Sequence, residues 1–190
     1  MPTANAKNRG YFKIEGACRA FNFDFRGRTV LDIGSSTGGF TEYALNHGAK
    51  KVIAVEKGTN QMKSPLRNDP RITLHEKTDI FDFVLNHEIN TVVADVSFVS
   101  TTKVLHHIKP QLSKNTDLLI MLKPQFEARP DQLNKGIVKN DKIRRDIIKS
   151  FEYWLKQNDF VIINKHDNDL KGKTGNRERF YWLTFAKNTL

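Results

Sequence analysis

The sequence predicts an α/β protein with a mostly parallel sheet, helices on both faces and an antiparallel last strand. Three observations carry that expectation. Short apolar runs alternate with amphipathic segments, the order that strand–helix–strand units produce. The runs "RTVLDIG", "KKVIAVE" and "DLLIMLK" are nearly continuous in apolar residues, as strands covered on both faces are. The stretch from Asp167 to Glu178 is too short for a helical crossover, so the last two strands form a hairpin.

The elements follow in order. Phe12 to Phe21 is amphipathic and reads as a helix. "RTVLDIG", Arg28 to Gly34, is a buried strand. "GGFTEYALNHG" is a helix closed near Gly48. "KKVIAVE" and the weaker "RITLHE" are the next strands, and "TVVADVSFV" is a fourth, with Asp95 inside it. A helix spans about Thr102–Gln111, and "DLLIMLK" is a strand ending at Lys123 before Pro124. "KNDKIRRDIIKSFEYWLKQN" carries Ile143, Ile147, Ile148, Phe151, Trp154 and Leu155 at helical spacing and is a long amphipathic helix. "DFVIINKH" and "RFYWLTFA" are the closing strands.

At 190 residues, the chain is expected to be one domain, 1–190, with residues 1–8 a flexible lead. No apolar run reaches the length of a membrane span, and the N-terminus lacks the apolar core of a signal peptide. One cysteine, Cys18, cannot form an internal disulfide, which fits a reducing cytoplasm. Lysines and arginines total 31 against 21 acids, a formal net charge of +10 that favours a polyanionic partner, RNA or DNA first.

Ligands in such sheets bind outside the carboxyl ends of the strands. There, "VLDIGSSTGGF" places Asp32 and Gly34 at a strand end, then Ser35, Ser36, Thr37, Gly38, Gly39 and Phe40 through the turn into a helix. Glycines suit close approach of backbone to a ligand, and a helix N-terminus offers free N–H groups. The spacing is not the dinucleotide fingerprint G-x-G-x-x-G, which argues against a nicotinamide oxidoreductase. The next strand ends on Glu56, whose carboxylate can accept from both hydroxyls of a ribose. Asp95 and Lys123 end neighbouring strands on the same edge, and an antiparallel last strand returns Glu178 to it. A structural Asp95–Lys123 ion pair is the plainer account of those two. His106 and His107 read as exposed helix residues without a metal partner set.

The glycine turn followed by Glu56 resembles motif I of the class I S-adenosylmethionine-dependent methyltransferases. The order Lys13, Asp95, Lys123, Glu178 resembles the catalytic tetrad of the FtsJ-type RNA ribose 2′-O-methyltransferases. "DIGSSTGGFT", "DVSFVS", "KPQFE" and "GNRE" are closer still to the TlyA branch, the hemolysin family of ribosomal RNA cytidine-2′-O-methyltransferases. Spacing alone would not select Lys13. The resemblance covers Arg9 to about Phe185. It implies a Rossmann-like class I methyltransferase sheet, S-adenosyl-L-methionine as cofactor, the turn and Asp95 against that cofactor, Glu56 on its ribose and Asp79 near its adenine. It also implies an RNA substrate, ribosomal RNA or a ribosomal subunit, no metal and a cytoplasmic location. Lys123, oriented by Asp95 and Glu178, would take the 2′-hydroxyl proton or, if charged, stabilise the oxyanion; Lys13 would position ribose or phosphate. Family members carry an N-terminal S4 domain, whereas about eight residues precede "RGYFK" here, and that phrase is "RGGLK" in the family. An inactive RNA-binding module with the same fold is the alternative.

Overall fold

The computed structural model describes residues 9–170 and 175–186; the expected flexible lead, residues 1–8, lies outside them. Helix α1 spans Arg9–Phe21, strand β1 Thr29–Ile33, helix α2 Gly39–Asn46, strand β2 Lys51–Val55 and strand β3 Ile72–His75. Strand β4 (Thr91–Ala94), helix α3 (Thr101–Ile108), strand β5 (Asp117–Leu122) and the short helix α4 (Pro124–Glu127) follow. Then come the two-residue strands β6 (Leu133–Asn134) and β7 (Ile137–Val138), helix α5 (Asp141–Gln157), and strands β8 (Phe160–Asp167) and β9 (Arg179–Phe185).

Seven strands make the main sheet in the order β3-β2-β1-β4-β5-β9-β8. The first five pair in parallel, and β9 runs antiparallel between β5 and β8, as expected of a hairpin return. The expected α/β architecture, a mostly parallel sheet with an antiparallel last strand, holds. Alternation along each strand divides the core into two layers. Leu31, Ile33, Leu118, Ile120 and Leu122 face the layer packed by α3 and α5. Val30, Leu119 and Met121 face the layer packed by α1 and α2. That two-sided burial is why β1 and β5 read as nearly continuous apolar runs.

Local chemistry sets the boundaries. The Asn140 side chain accepts from the Ile143 N–H at 2.9 Å and starts α5, an N-cap that satisfies an otherwise orphaned donor. Gly48, at φ +89°, closes α2, and the Ala49 N–H returns to the Ala44 carbonyl at 2.9 Å.

Two expectations need correction. Strand β4 stops at Ala94, so Asp95 stands just past the strand rather than within it, and its side chain keeps 19% exposure. At the rim, water meets part of the desolvation cost that a mid-strand carboxylate would carry. His107 is half-buried with its ring 5.3 Å from that of Phe81; only His106 is exposed. The segment after Lys123, for which the sequence suggested no element, holds α4 and the β6–β7 hairpin.

Candidate active site

The segments after β1, β2, β3, β4 and β5, with helix α1 and the entry to β9, build the site at the carboxyl edge. The turn after β1 is held to β2 by the Gly34 and Ser35 N–H groups, which donate to the Val55 carbonyl at 2.9 and 3.2 Å. Gly34 sits at φ +77°, and a Cβ there would stand 3.3 Å from the Asp95 carbonyl oxygen. Both the left-handed backbone and the close approach of the β4 loop therefore call for glycine. Gly38, at φ +90°, faces away from the cleft, against Met62 and Leu66.

Two adjoining cavities, of about 560 and 610 Å³, occupy the edge. Gly34, Ser36, Asp95, Ser97 and Phe98 line both and form the ridge between them. The first cavity is further lined by Asp32, Ser35, Thr37, Gly39 and Phe40, and by Lys13, Lys123 and Glu178. Glu56 and Asp79 line the second. Every expected site residue except Gly38 thus faces one continuous cleft of small-molecule size.

Asp32 is buried to 1% exposure. Its Oδ2 accepts from the Thr41 hydroxyl at 2.6 Å, while its Oδ1 and the buried Ser35 Oγ have no hydrogen-bond partner among the described residues. Burial pushes the Asp32 carboxyl up to about 7. A buried acceptor left open on a cavity wall is the feature a ligand cation would complete. In the second cavity, Glu56 Oε2 accepts from the Ser36 N–H at 2.8 Å and Oε1 from the Gly58 N–H at 2.6 Å. These amides fix the carboxylate; Oε1 also accepts from the Gln61 side-chain amide at 3.2 Å, so Oε2 keeps a second lone pair for a ribose hydroxyl and Oε1 would exchange Gln61 for the other. Asp79 accepts from Lys57 at 2.8 Å, which holds its carboxyl below the usual range, and from the Phe81 N–H at 3.2 Å.

The four charged residues meet in one chain of contacts. Lys123 Nζ lies 2.5 Å from Asp95 Oδ1 and donates to Ser97 Oγ at 2.8 Å. Lys13 Nζ lies 3.5 Å from Asp95 Oδ2 and 2.8 Å from Glu178 Oε2. Lys13, Lys123 and Glu178 are buried. The order is Lys123–Asp95–Lys13–Glu178, so Glu178 orients Lys13, not Lys123 as expected; Ser97 is the second partner of Lys123. Two cations and two anions balance, which is what permits such burial.

Sequence reasoning passed over three residues here. Thr41 and Ser97 are ordinary hydroxyl residues in sequence, and only their contacts distinguish them. Phe98 is 92% exposed at φ +63°, its ring 5.2 Å from that of Phe126, at the mouth of both cavities. Its signal was an aromatic residue in a polar loop beside a site acid.

The FtsJ-like methyltransferase family model matches residues 6–185. The chain belongs to that family. It is 34% identical over 180 residues to the 16S/23S rRNA (cytidine-2'-O)-methyltransferase TlyA of Mycobacterium tuberculosis, covering 93% of this chain and 67% of that one. It is 38% identical over 171 residues to Hemolysin A of Brachyspira hyodysenteriae, covering 87% and 71%. Among solved structures, a candidate hemolysin from Lactococcus lactis superposes with a TM-score of 0.90 at 33% identity, covering 96% of this chain and 89% of that one. As in FtsJ-like proteins generally, the expected fold is an α/β methyltransferase sheet, and this chain has it. Among the described residues, no helix is long and apolar enough to cross a membrane, and no three His, Cys, Asp or Glu side chains form a metal-binding group.

Proposed function

We propose that the protein transfers a methyl group from S-adenosylmethionine to a ribose 2′-hydroxyl of ribosomal RNA, in the cytoplasm. The observation that carries this reading is the Lys123–Asp95–Lys13–Glu178 array, set on the wall of the cleft that Glu56 and Asp32 share. The names of the relatives support the substrate class.

The residues present suit the cofactor. Asp32 Oδ1 would take the ammonium of its methionine part, Glu56 the ribose hydroxyls, and the cavity beside Asp79 and Phe81 the adenine. When bound, S-adenosylmethionine supplies a methyl group on a sulfonium, which an oxygen nucleophile can take.

The chain's own part is to hold that oxygen and its proton. Lys123 Nζ is fixed by the Asp95 carboxylate and Ser97, and its third and longest contact, to the Asp95 carbonyl at 3.4 Å, is the one an incoming hydroxyl would replace. It takes the proton when the amine is neutral and stabilises the oxyanion when it is charged. Lys13, clamped between Asp95 and Glu178, presents a fixed positive charge to ribose or phosphate. A buried array without loose rotamers needs little reorganisation during reaction, which is where such sites draw much of their effect. The exposed Phe98 offers a face for an unpaired base.

Calorimetric titration with S-adenosylmethionine, followed by transfer of a tritiated methyl group to unmodified ribosomal RNA and to ribosomal subunits, tests the reading. Saturable binding with label on a 2′-oxygen supports it. RNA binding without transfer would favour the inactive module.

A further inference from the structure

The β6–β7 hairpin has the marks of a substrate-binding element. Its strands are two residues each, Leu133 opposite Val138 and Asn134 opposite Ile137, far too short to be stable alone. The turn residues Lys135 and Gly136 sit at φ +48° and +79°, the two positive values of a tight I′-type turn. Something must hold this hairpin, and Asn176 does. Its buried side chain accepts from the Val138 N–H at 3.0 Å and donates to the Gly136 carbonyl at 3.0 Å. Asn176 lies two residues before Glu178, so one loop both clamps the turn and supplies a member of the charged array. The turn is thereby set against the reaction site: Gly136 lines the same cavity as Lys13, Lys123 and Glu178.

The outward side of this element is basic. Lys135 and Lys139 on the hairpin, Arg129 before it, and Lys142 and Arg145 on the first turns of α5 are exposed. Arg129 pairs with Asp131, and Lys139 donates to the Asp131 carbonyl at 2.7 Å. Lys135, Lys142 and Arg145 have no ion pair among the described residues. A turn that aims a lysine to solvent beside the cleft, backed by more positive charge, suits a polyanion laid across the site entrance.

We propose that the hairpin is the RNA-side wall of the active site: Lys135 engages a backbone phosphate next to the target nucleotide, and Asn176 is the positioning residue that fixes the turn. This rests on the RNA methyltransferase reading. Phosphate contacts set register rather than sequence, so the effect falls on RNA binding and not on the cofactor.

The test uses the full chain with in vitro transcripts of ribosomal RNA and with ribosomal subunits, at several salt concentrations. Lys135→Ala is expected to raise KM for RNA roughly tenfold, as for loss of a charge-assisted hydrogen bond. It should also lower the slope of log affinity against log salt by about 0.7–0.9, the value for one phosphate contact. Affinity for S-adenosylmethionine should stay the same. Asn176→Ala should reproduce the rise in KM and accelerate amide exchange over residues 133–138, with Asn176→Asp, which keeps the acceptor for Val138, falling between. If Asn176→Ala does not fold, Lys135→Ala, at an exposed turn, still decides. Wild-type protein active on RNA beside a Lys135→Ala variant with unchanged KM and salt slope overturns the hairpin's role alone. Wild-type protein that transfers no methyl group to either RNA overturns this proposal together with the functional reading.

Discussion

Lys13, from the first helix, and Glu178, at the entrance to the last strand, meet at 2.8 Å with both side chains buried. The contact joins the two ends of the described chain across the sheet edge. It adds a charged tie to elements that also meet through the rings of Phe21 and Trp182, 6.4 Å apart, and losing it has a measurable cost. Removing one partner of a buried pair leaves a charge uncompensated and costs about 3–5 kcal/mol. Glu178→Ala is expected at the lower end, since Asp95 still lies 3.5 Å from Lys13. Urea unfolding checks it. Replacing both residues by methionine should recover most of the loss, and a double variant as unstable as the single would contradict the pairing.

Asp32 gives a pH dependence of unusual sign. Burial raises its carboxyl from the usual 3.8 to about 7 in the folded protein. Between those values the folded state binds more protons than the unfolded one, so stability falls as pH rises from about 4 to about 7 and levels off above. A salt-bridged acid would behave the opposite way. The amplitude is a few kcal/mol, because each tenfold change in proton affinity on folding is worth about 1.36 kcal/mol. Asp32→Asn, which can still accept from Thr41, should remove that contribution; unfolding curves of both proteins across this range test it. If S-adenosylmethionine places its ammonium there, its binding should release a proton near pH 6–7, read as a buffer-dependent heat.

Much of this could be read in the sequence, and the gaps have physical causes. Strands buried on both faces write themselves as apolar runs, so β1, β2 and β5 were legible, and with them the edge that carries Glu56 and Lys123. The antiparallel return of β9 followed from a loop too short to cross over. Lys13 had no signal of its own: a lysine on an amphipathic helix is ordinary, and only family resemblance picked it out. The β6–β7 hairpin escaped because four strand residues give no period, and a side chain distant in sequence, Asn176, holds it. The partners Thr41 and Ser97 are set by packing across the sheet edge, which local pattern does not encode.

Glu56 is the residue for which ligand and structural roles compete. Glu56→Ala is expected to weaken S-adenosylmethionine by about 1.5–3 kcal/mol, the range for hydrogen bonds to a charged group. It should also cost some stability, because the Ser36 and Gly58 amides lose their acceptor. Calorimetry and thermal unfolding on the same sample separate the two. A fall in stability with unchanged affinity would leave Glu56 a loop anchor and remove the ribose clamp.

Cys18 is buried in the α1–α2 layer, and burial pushes its thiol up to about 12. With almost no thiolate and no access, it should react with a disulfide reagent only as the fold opens. The labelling rate should therefore track global stability. Prompt labelling of native protein would mean that α1, and Lys13 with it, is loosely docked.

Lys123 is the most exacting test of the site. Lys123→Ala should leave cofactor affinity nearly intact, because Asp32, the glycine turn and Glu56 hold that ligand on other walls of the cleft. Methyl transfer should fall by about 10²–10⁴-fold, the usual range for losing a positioned proton-transfer group. Lys123→Arg should not restore it. A guanidinium does not give up its proton at neutral pH, and its planar fork cannot meet Asp95 Oδ1 and Ser97 Oγ as the ammonium does. Ser97→Ala should lower the rate less, since Asp95 still orients the amine. Asp95 touches both lysines, so the double change Asp95→Ala with Lys123→Ala should cost less than the sum of the singles. Strict additivity would mean that the two residues act independently. Robust transfer by Lys123→Ala on an RNA that the wild-type protein methylates would remove the array from the chemistry altogether, leaving a buried ion-pair chain whose work is to hold α1 against the sheet.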